Sequence, residues 1–125
     1  MSQQYQYVID FIEQVREVEL PKSFAPLTTQ NKYDRHSFMQ EELDEFIVAK
    51  TPAEEVDAII DLCYFAFGTL AEMGINTDKF EAIFNRVHTA NMNKKAGKKL
   101  GRTVNGTDAY KPEGWQEPKF DDLLK

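Results

Sequence analysis

Cysteine is nearly absent: Cys63 stands alone among 125 residues, so no intrachain disulfide can form. A fold without such staples suits a reducing, cytoplasmic setting, and Cys63, set in an apolar run, reads as a small packed hydrophobe. The two histidines, His36 and His88, have no partner at ligand spacing and read as structural or surface residues. The five prolines and six glycines sit mostly near the ends and turns, which leaves long uninterrupted stretches for helix. No apolar run approaches the roughly 18 residues of a membrane span, and MSQQYQYVIDF has no basic segment followed by an apolar one, so neither a span nor an export signal is expected. Positive charge is the minority sign. Fifteen Lys and Arg against twenty-one Asp and Glu give a net charge of −6, which argues against nucleic acid or a membrane surface as partner, since both are densely negative. The one basic cluster is local: Lys94, Lys95, Lys98, Lys99 and Arg102.

What is present is helical periodicity. Tyr7, Val8, Phe11, Ile12 and Val15 recur at spacings of three and four, predicting a helix over 3–18 that Pro21 ends. The segment 21–31 has no period and reads as a loop. A second helix is predicted over 32–49, where helix formers run without a breaker. Thr51-Pro52-Ala53-Glu54 is a capping box with proline at the first helical position, and starts a third helix that runs to about Met73 and stops at Gly74. A fourth follows Asn76 and Thr77 and lasts to about Asn93, with Phe80, Ile83, Phe84, Val87 and His88 as its inner face. Residues 95–118 hold Gly97, Gly101, Gly106, Pro112, Gly114 and Pro118, and so read as a loop or tail with a final turn at Asp121–Leu124. No alternating apolar pattern suggests a strand. The expectation is one all-α domain over 1–125: a four-helix bundle with a core at 3–94 and an irregular tail at 95–125. So small a bundle leaves apolar faces uncovered, which predicts a homodimer or homotetramer.

The acids carry the chemistry. Asp61 lies in Ala58-Ile59-Ile60-Asp61-Leu62-Cys63-Tyr64-Phe65, and a helix apolar on every side is expected to be buried on most faces. A carboxylate buried there needs a cation or hydrogen-bonding partners. Asp57 is one turn earlier on the same face, while Glu42 and Glu45, with Glu41 beside them, share a face of the preceding helix. Folding the two helices back about Thr51 puts Glu45 and Asp57 roughly 9 Å from the turn and Glu42 and Asp61 roughly 14 Å from it, at about 1.5 Å of rise per residue. Each glutamate then faces an aspartate. Four carboxylates without His or Cys describe a hard-cation site for Mg²⁺, or Mn²⁺, rather than zinc. The competing reading is an acidic cluster paired with Arg35 or Arg86, or a solvated acidic face. Glu54 stays ambiguous, because the capping box already accounts for it.

In these residues the chain resembles a known family. Glu41-Glu42-Leu43-Asp44-Glu45, followed by Glu54-Glu55-Val56-Asp57-Ala58-Ile59-Ile60-Asp61, is similar to the EExxE and ExxD signature of the MazG-like all-α NTP pyrophosphohydrolases, which include dimeric dUTPases and phosphoribosyl-ATP pyrophosphohydrolases. The similarity is closest to a phage and bacterial branch often labelled Cof-like or HAD-like, a label that misdescribes its fold. Tyr64, Gly68-Thr69, Val87-His88-Thr89-Ala90-Asn91-Met92-Asn93-Lys94 and Lys111-Pro112-Glu113-Gly114-Trp115 carry that branch. The likeness runs from about Arg35 to Pro118. One departure is Ala58, where many members have glutamate, so the aspartate pairs with either Asp61 or Glu54; the heights of the four acids favour Asp57 with Asp61.

The resemblance implies cleavage of an NTP or dNTP between its α and β phosphates, giving NMP and pyrophosphate, with metals on Glu42, Glu45, Asp57 and Asp61. Glu41 or Glu42 would accept the proton of the attacking water. Asn91 and Lys94 are expected at sugar or phosphate. Lys98, with Lys99 and Arg102, closes over phosphates or belongs to a solvated tail, and Tyr110 and Trp115 stack on a base or anchor the tail. A phage-like origin favours a deoxynucleotide, such as the purines dGTP or dATP, in nucleotide-pool control inside the host cytoplasm. Phosphoribosyl-ATP is the alternative substrate. A helical interaction module whose acids dock a basic partner is the alternative from a different class.

Overall fold

The computed structural model describes residues 2–97 and 108–125. Four helices dominate it: α1 Gln3–Gln14, α2 Thr29–Val48, α3 Pro52–Glu72 and α4 Thr77–Met92. The all-α expectation holds. Among the described residues no single helix is long and apolar enough to cross a membrane.

The caps set most of the boundaries. Thr28, Thr51 and Asn76 each accept a bond from the backbone N–H three residues on, at 3.2, 3.1 and 2.9 Å, satisfying donors that the first helical turn leaves orphaned. The Thr28 cap starts α2 three residues earlier than the sequence pattern suggests, inside the stretch expected to be loop. At α3 the Glu54 carboxylate reaches back to the Lys50 N–H at 2.8 Å. Helix α1 ends at Gln14 rather than 18. Glu17 turns the chain with φ 55, the Val18 N–H returns to the Ile12 carbonyl, and Val18, Leu20 and Phe24 fold back onto the core.

That core joins α1 to the C-terminal part of α3 and the start of α4. Tyr5, Val8, Ile9 and Ile12 form the buried stripe of α1 and meet Ala71, Ile75 and Phe80. The Tyr5 ring stacks on Phe80 at 4.2 Å between centroids, while Phe67 meets Phe80 edge-on at 5.1 Å. The Tyr5 hydroxyl donates to the Ile75 carbonyl at 2.6 Å. Burial holds this phenol well above its usual pKa, so it remains a neutral donor. The α3–α4 turn needs Gly74, at φ 80, because a Cβ there would collide with the Ser23 carbonyl.

Helices α2 and α3 pack on each other as an antiparallel hairpin, but α2 gives nothing to that core and buries only Arg35. The expectation that α3 is buried on most faces therefore fails within one chain. Val56 and Ile60 are 62% and 58% exposed, and Cys63 is exposed instead of packed. Among the described residues α1 meets α3 through Tyr64, Phe67 and Ala71 in its C-terminal half, so the outer face of the N-terminal half meets solvent. On α4, Phe84 and His88 likewise point outward.

The described parts of the tail hold more regular structure than its composition suggests. A short antiparallel ribbon, β1 Lys95–Gly97 with β2 Asp108–Tyr110, stands where loop was expected; three-residue strands are too short to show alternation. The expected final turn is a 3-10 helix, Asp121–Leu124. Arg86 fixes it to α4, donating to both Asp122 carboxylate oxygens at 2.6 and 3.0 Å and to the Lys119 carbonyl at 3.1 Å.

Candidate active site

The α2–α3 seam follows an antiparallel register that can be read residue by residue. On α2 the seam positions are Arg35, Phe38, Glu42 and Glu45, and on α3 they are Asp57, Asp61, Phe65 and Gly68. These spacings of three and four keep each set on one face of its helix. Phe38 packs against Phe65 at 5.7 Å between ring centroids, and Arg35 lies against Gly68, where a Cβ would come within 2.8 Å of Nη2. Nearer the turn the same register sets Glu42 against Asp61 and Glu45 against Asp57.

In this half of the seam negative charge accumulates. Oε2 of Glu42 is buried and has no hydrogen-bond partner. Burial, a side-chain hydrogen bond with Glu45, and the charges of Glu45, Asp61 and Asp57 push the Glu42 carboxyl up to about 7. Burial, followed by the charges of Asp57 and Glu45, also raises Asp61. The four carboxylates therefore act on one another across the seam, and a cation between them would relieve the repulsion. Neither arginine that would make this a structural ion cluster is here. Arg35 pairs with Glu72 at 2.9 Å and Arg86 with Asp122. Toward the turn a cleft of about 400 Å³ opens, lined by Glu45, Lys50, Glu54 and Asp57 among others.

The donor chemistry suits a hard divalent cation. The set is all oxygen, mutually repelling, and holds one orphaned buried oxygen. Among the described residues no three such side chains are gathered into a ligand shell. Glu41 lies beside the seam and is exposed. Glu54 is engaged at the helix cap.

The remaining candidates sit elsewhere. Asn91 and Lys94 lie at the far end of α4, which packs on α1 and the 3-10 helix and makes no close approach to α2 among the described residues. The chain does not bring them to its own acids. Trp115 is an anchor: its indole N–H donates to the Ala90 carbonyl at 2.6 Å, and Lys94 and Lys111 sit over its ring at 5.4 and 5.0 Å. Tyr110 is on β2, where its ring crosses Gly97. Lys98, Lys99 and Arg102 lie outside the described residues. Phe38 and Tyr64 were not read as neighbours of the acids from the sequence, although extending the register that pairs Glu42 with Asp61 by one turn reaches both; Arg35, weighed there as a partner of the acids, lies two turns from Glu42 and pairs with Glu72.

A family model described as phosphoribosyl-ATP pyrophosphohydrolase matches residues 8–91. The matched span holds α2, α3 and all four seam acids, and it stops short of the tail. No curated protein matches the chain.

Proposed function

The chain belongs to the phosphoribosyl-ATP pyrophosphohydrolase family, part of the MazG-like all-α superfamily, and on that premise we propose that the acidic half of the α2–α3 seam hydrolyses the α–β phosphoanhydride of a nucleotide triphosphate chain. The observation that carries this reading is the buried, partnerless Glu42 Oε2, surrounded by Glu45, Asp57 and Asp61. A divalent cation, Mg²⁺ with Mn²⁺ able to substitute, supplies charge neutralisation and a more acidic water when bound by Glu42, Glu45, Asp57 and Asp61. Glu41, beside the seam and open to solvent, or Glu42, within it, accepts the proton of the attacking water. The cleft toward the turn leaves room for phosphates, and Lys50 on its rim offers them positive charge.

The family description supports phosphoribosyl-ATP as substrate ahead of the plain (d)NTP that the sequence suggests. Both carry the triphosphate that the acids would engage, so the acids do not discriminate between them. Placement in the phage and bacterial branch, with a purine dNTP such as dGTP or dATP as substrate, is the second reading; the Asn91-to-Lys94 and Lys111-to-Trp115 segments carry it. An assay of pyrophosphate release across phosphoribosyl-ATP and all NTPs and dNTPs, with Mg²⁺, tests both. Release from none of them rejects the hydrolase.

The chain is also proposed to assemble as a homodimer or homotetramer. Ile47, Val48, Val56 and Ile60, all more than half exposed, form apolar surface on the hairpin that a second copy would cover. Such an assembly would let Asn91 and Lys94 of one copy meet the carboxylate seam of another. Sedimentation that returns a monomer at micromolar concentration contradicts it.

A further inference from the structure

One turn beyond the acids, on the side away from the hairpin bend, α1 closes over the seam and leaves a cleft of about 250 Å³. Its walls are aromatic. Phe11 and Tyr64 meet edge-on at 5.5 Å, Phe38 and Phe65 lie tilted at 5.7 Å, and Phe11, Phe38 and Tyr64 each keep 38% of their surface exposed. Two guanidinium groups reach it, and they differ. Arg35 is locked, with Nε donating to Thr69 Oγ1, Nη2 to the Phe65 carbonyl and Nη1 paired with Glu72, each at 2.9 Å. It forms the floor, lying flat because Gly68 has no side chain. Arg16 is 38% exposed and, among the described residues, is held by a 3.4 Å contact to Glu72, so it can turn its donors toward an occupant.

We propose that this cleft seats the planar base of the nucleotide whose phosphates meet the acids. The inference rests on the hydrolase reading and adds to it the subsite that holds the rest of the substrate. Partly exposed aromatic rings bind a flat heterocycle by stacking, which every nucleobase supports, and Arg16 supplies donors to its polar edge. The spacing also fits. Phe38 precedes Glu42 by one turn of α2, and Tyr64 and Phe65 follow Asp61 by one turn of α3. Base and phosphates would thus be about 6 Å apart along the seam, leaving a place for the sugar between them. Stacking area makes purines the better occupants.

The test needs neither metal nor turnover. Adenosine, guanosine, cytidine and uridine are titrated into the isotope-labelled protein and followed by NMR. Purine nucleosides are expected to shift the Phe38, Tyr64 and Phe65 rings and the Gly68 amide. Phe38→Ala should weaken their binding about tenfold, and Arg16→Ala, a surface change that spares the core, severalfold. Shifts confined to Tyr110 and Trp115, or none, overturn the assignment. If nucleosides perturb these rings while no triphosphate yields pyrophosphate, the base subsite stands and the hydrolase falls. Pyrophosphate release with the rings untouched removes the base subsite and keeps the hydrolase.

Discussion

At the far end of the α2–α3 seam Arg35 is 6% exposed and each of its three nitrogens has a partner; two turns away Glu42 is turned into the same seam, with one buried oxygen that has none. The two residues come from one helix and one packing pattern, yet their charges are handled in opposite ways. At Arg35 a buried charge is compensated within the chain by Glu72, Thr69 and a carbonyl, so that end is architecture. At Glu42 like charges face each other across the seam, an arrangement that costs stability unless something outside the chain relieves it. Uncompensated charge beside a compensated one distinguishes a working site from a structural ion pair, and their separation along the seam lets one hairpin hold both.

The largest effect is expected at the uncompensated end. Asp61→Asn should lower pyrophosphate release at least about hundredfold with the far-ultraviolet helix signal unchanged; full activity would remove Asp61 from the site. At the compensated end the loss should appear in stability. Arg35→Met strands Glu72 with only the distant Arg16, and urea denaturation should show a cost of about 3 kcal/mol, smaller when Glu72 is replaced by an apolar residue as well. If Arg35→Met abolished activity with stability intact, the division between the two ends would collapse.

A subtler effect separates the ends by pH. Glu42 titrates near 7 in the fold against an ordinary 4.5, so its stabilising contribution is complete below 4.5 and is lost as pH rises through 7. In EDTA the melting temperature should therefore fall between pH 5 and 8. Glu42→Gln should flatten that slope, and saturating Mg²⁺ should oppose it. The smallest effect is expected at the Arg86–Asp122 pair, which is solvent-exposed and holds only the 3-10 helix. Arg86→Ala should speed amide exchange over 119–124 and leave global unfolding almost unmoved.

Helix number, the capping box at Thr51 and the facing acids were all legible in the sequence, because caps and three-four spacing are local signals that survive folding. Helical rise alone sets the matching heights of the acids across the turn, and the Phe38–Phe65 and Arg35–Gly68 contacts follow the same register. Other features depended on tertiary placement. Nothing local tells that Glu17 adopts a left-handed conformation to end α1, or that three-residue strands pair across 98–107. The apolar surroundings of Asp61 suggested burial, but a sequence cannot say whether a second face of α3 has a neighbour. Here α2 covers one face, and Val56 and Ile60 remain open. Asn91 and Lys94 were expected at sugar or phosphate by resemblance alone, and among the described residues α4 makes no close approach to α2 that would bring them to the acids.

Titration calorimetry with Mn²⁺ on the wild-type protein and on Asp61→Asn tests the central claim most directly. Saturable, stoichiometric binding to the wild type, lost or sharply weakened in the variant, is the result this account predicts. No saturable heat with the wild type, or equal binding to both proteins, would mean that the seam carboxylates do not gather a cation, and an acidic docking surface would then be the better description of the hairpin.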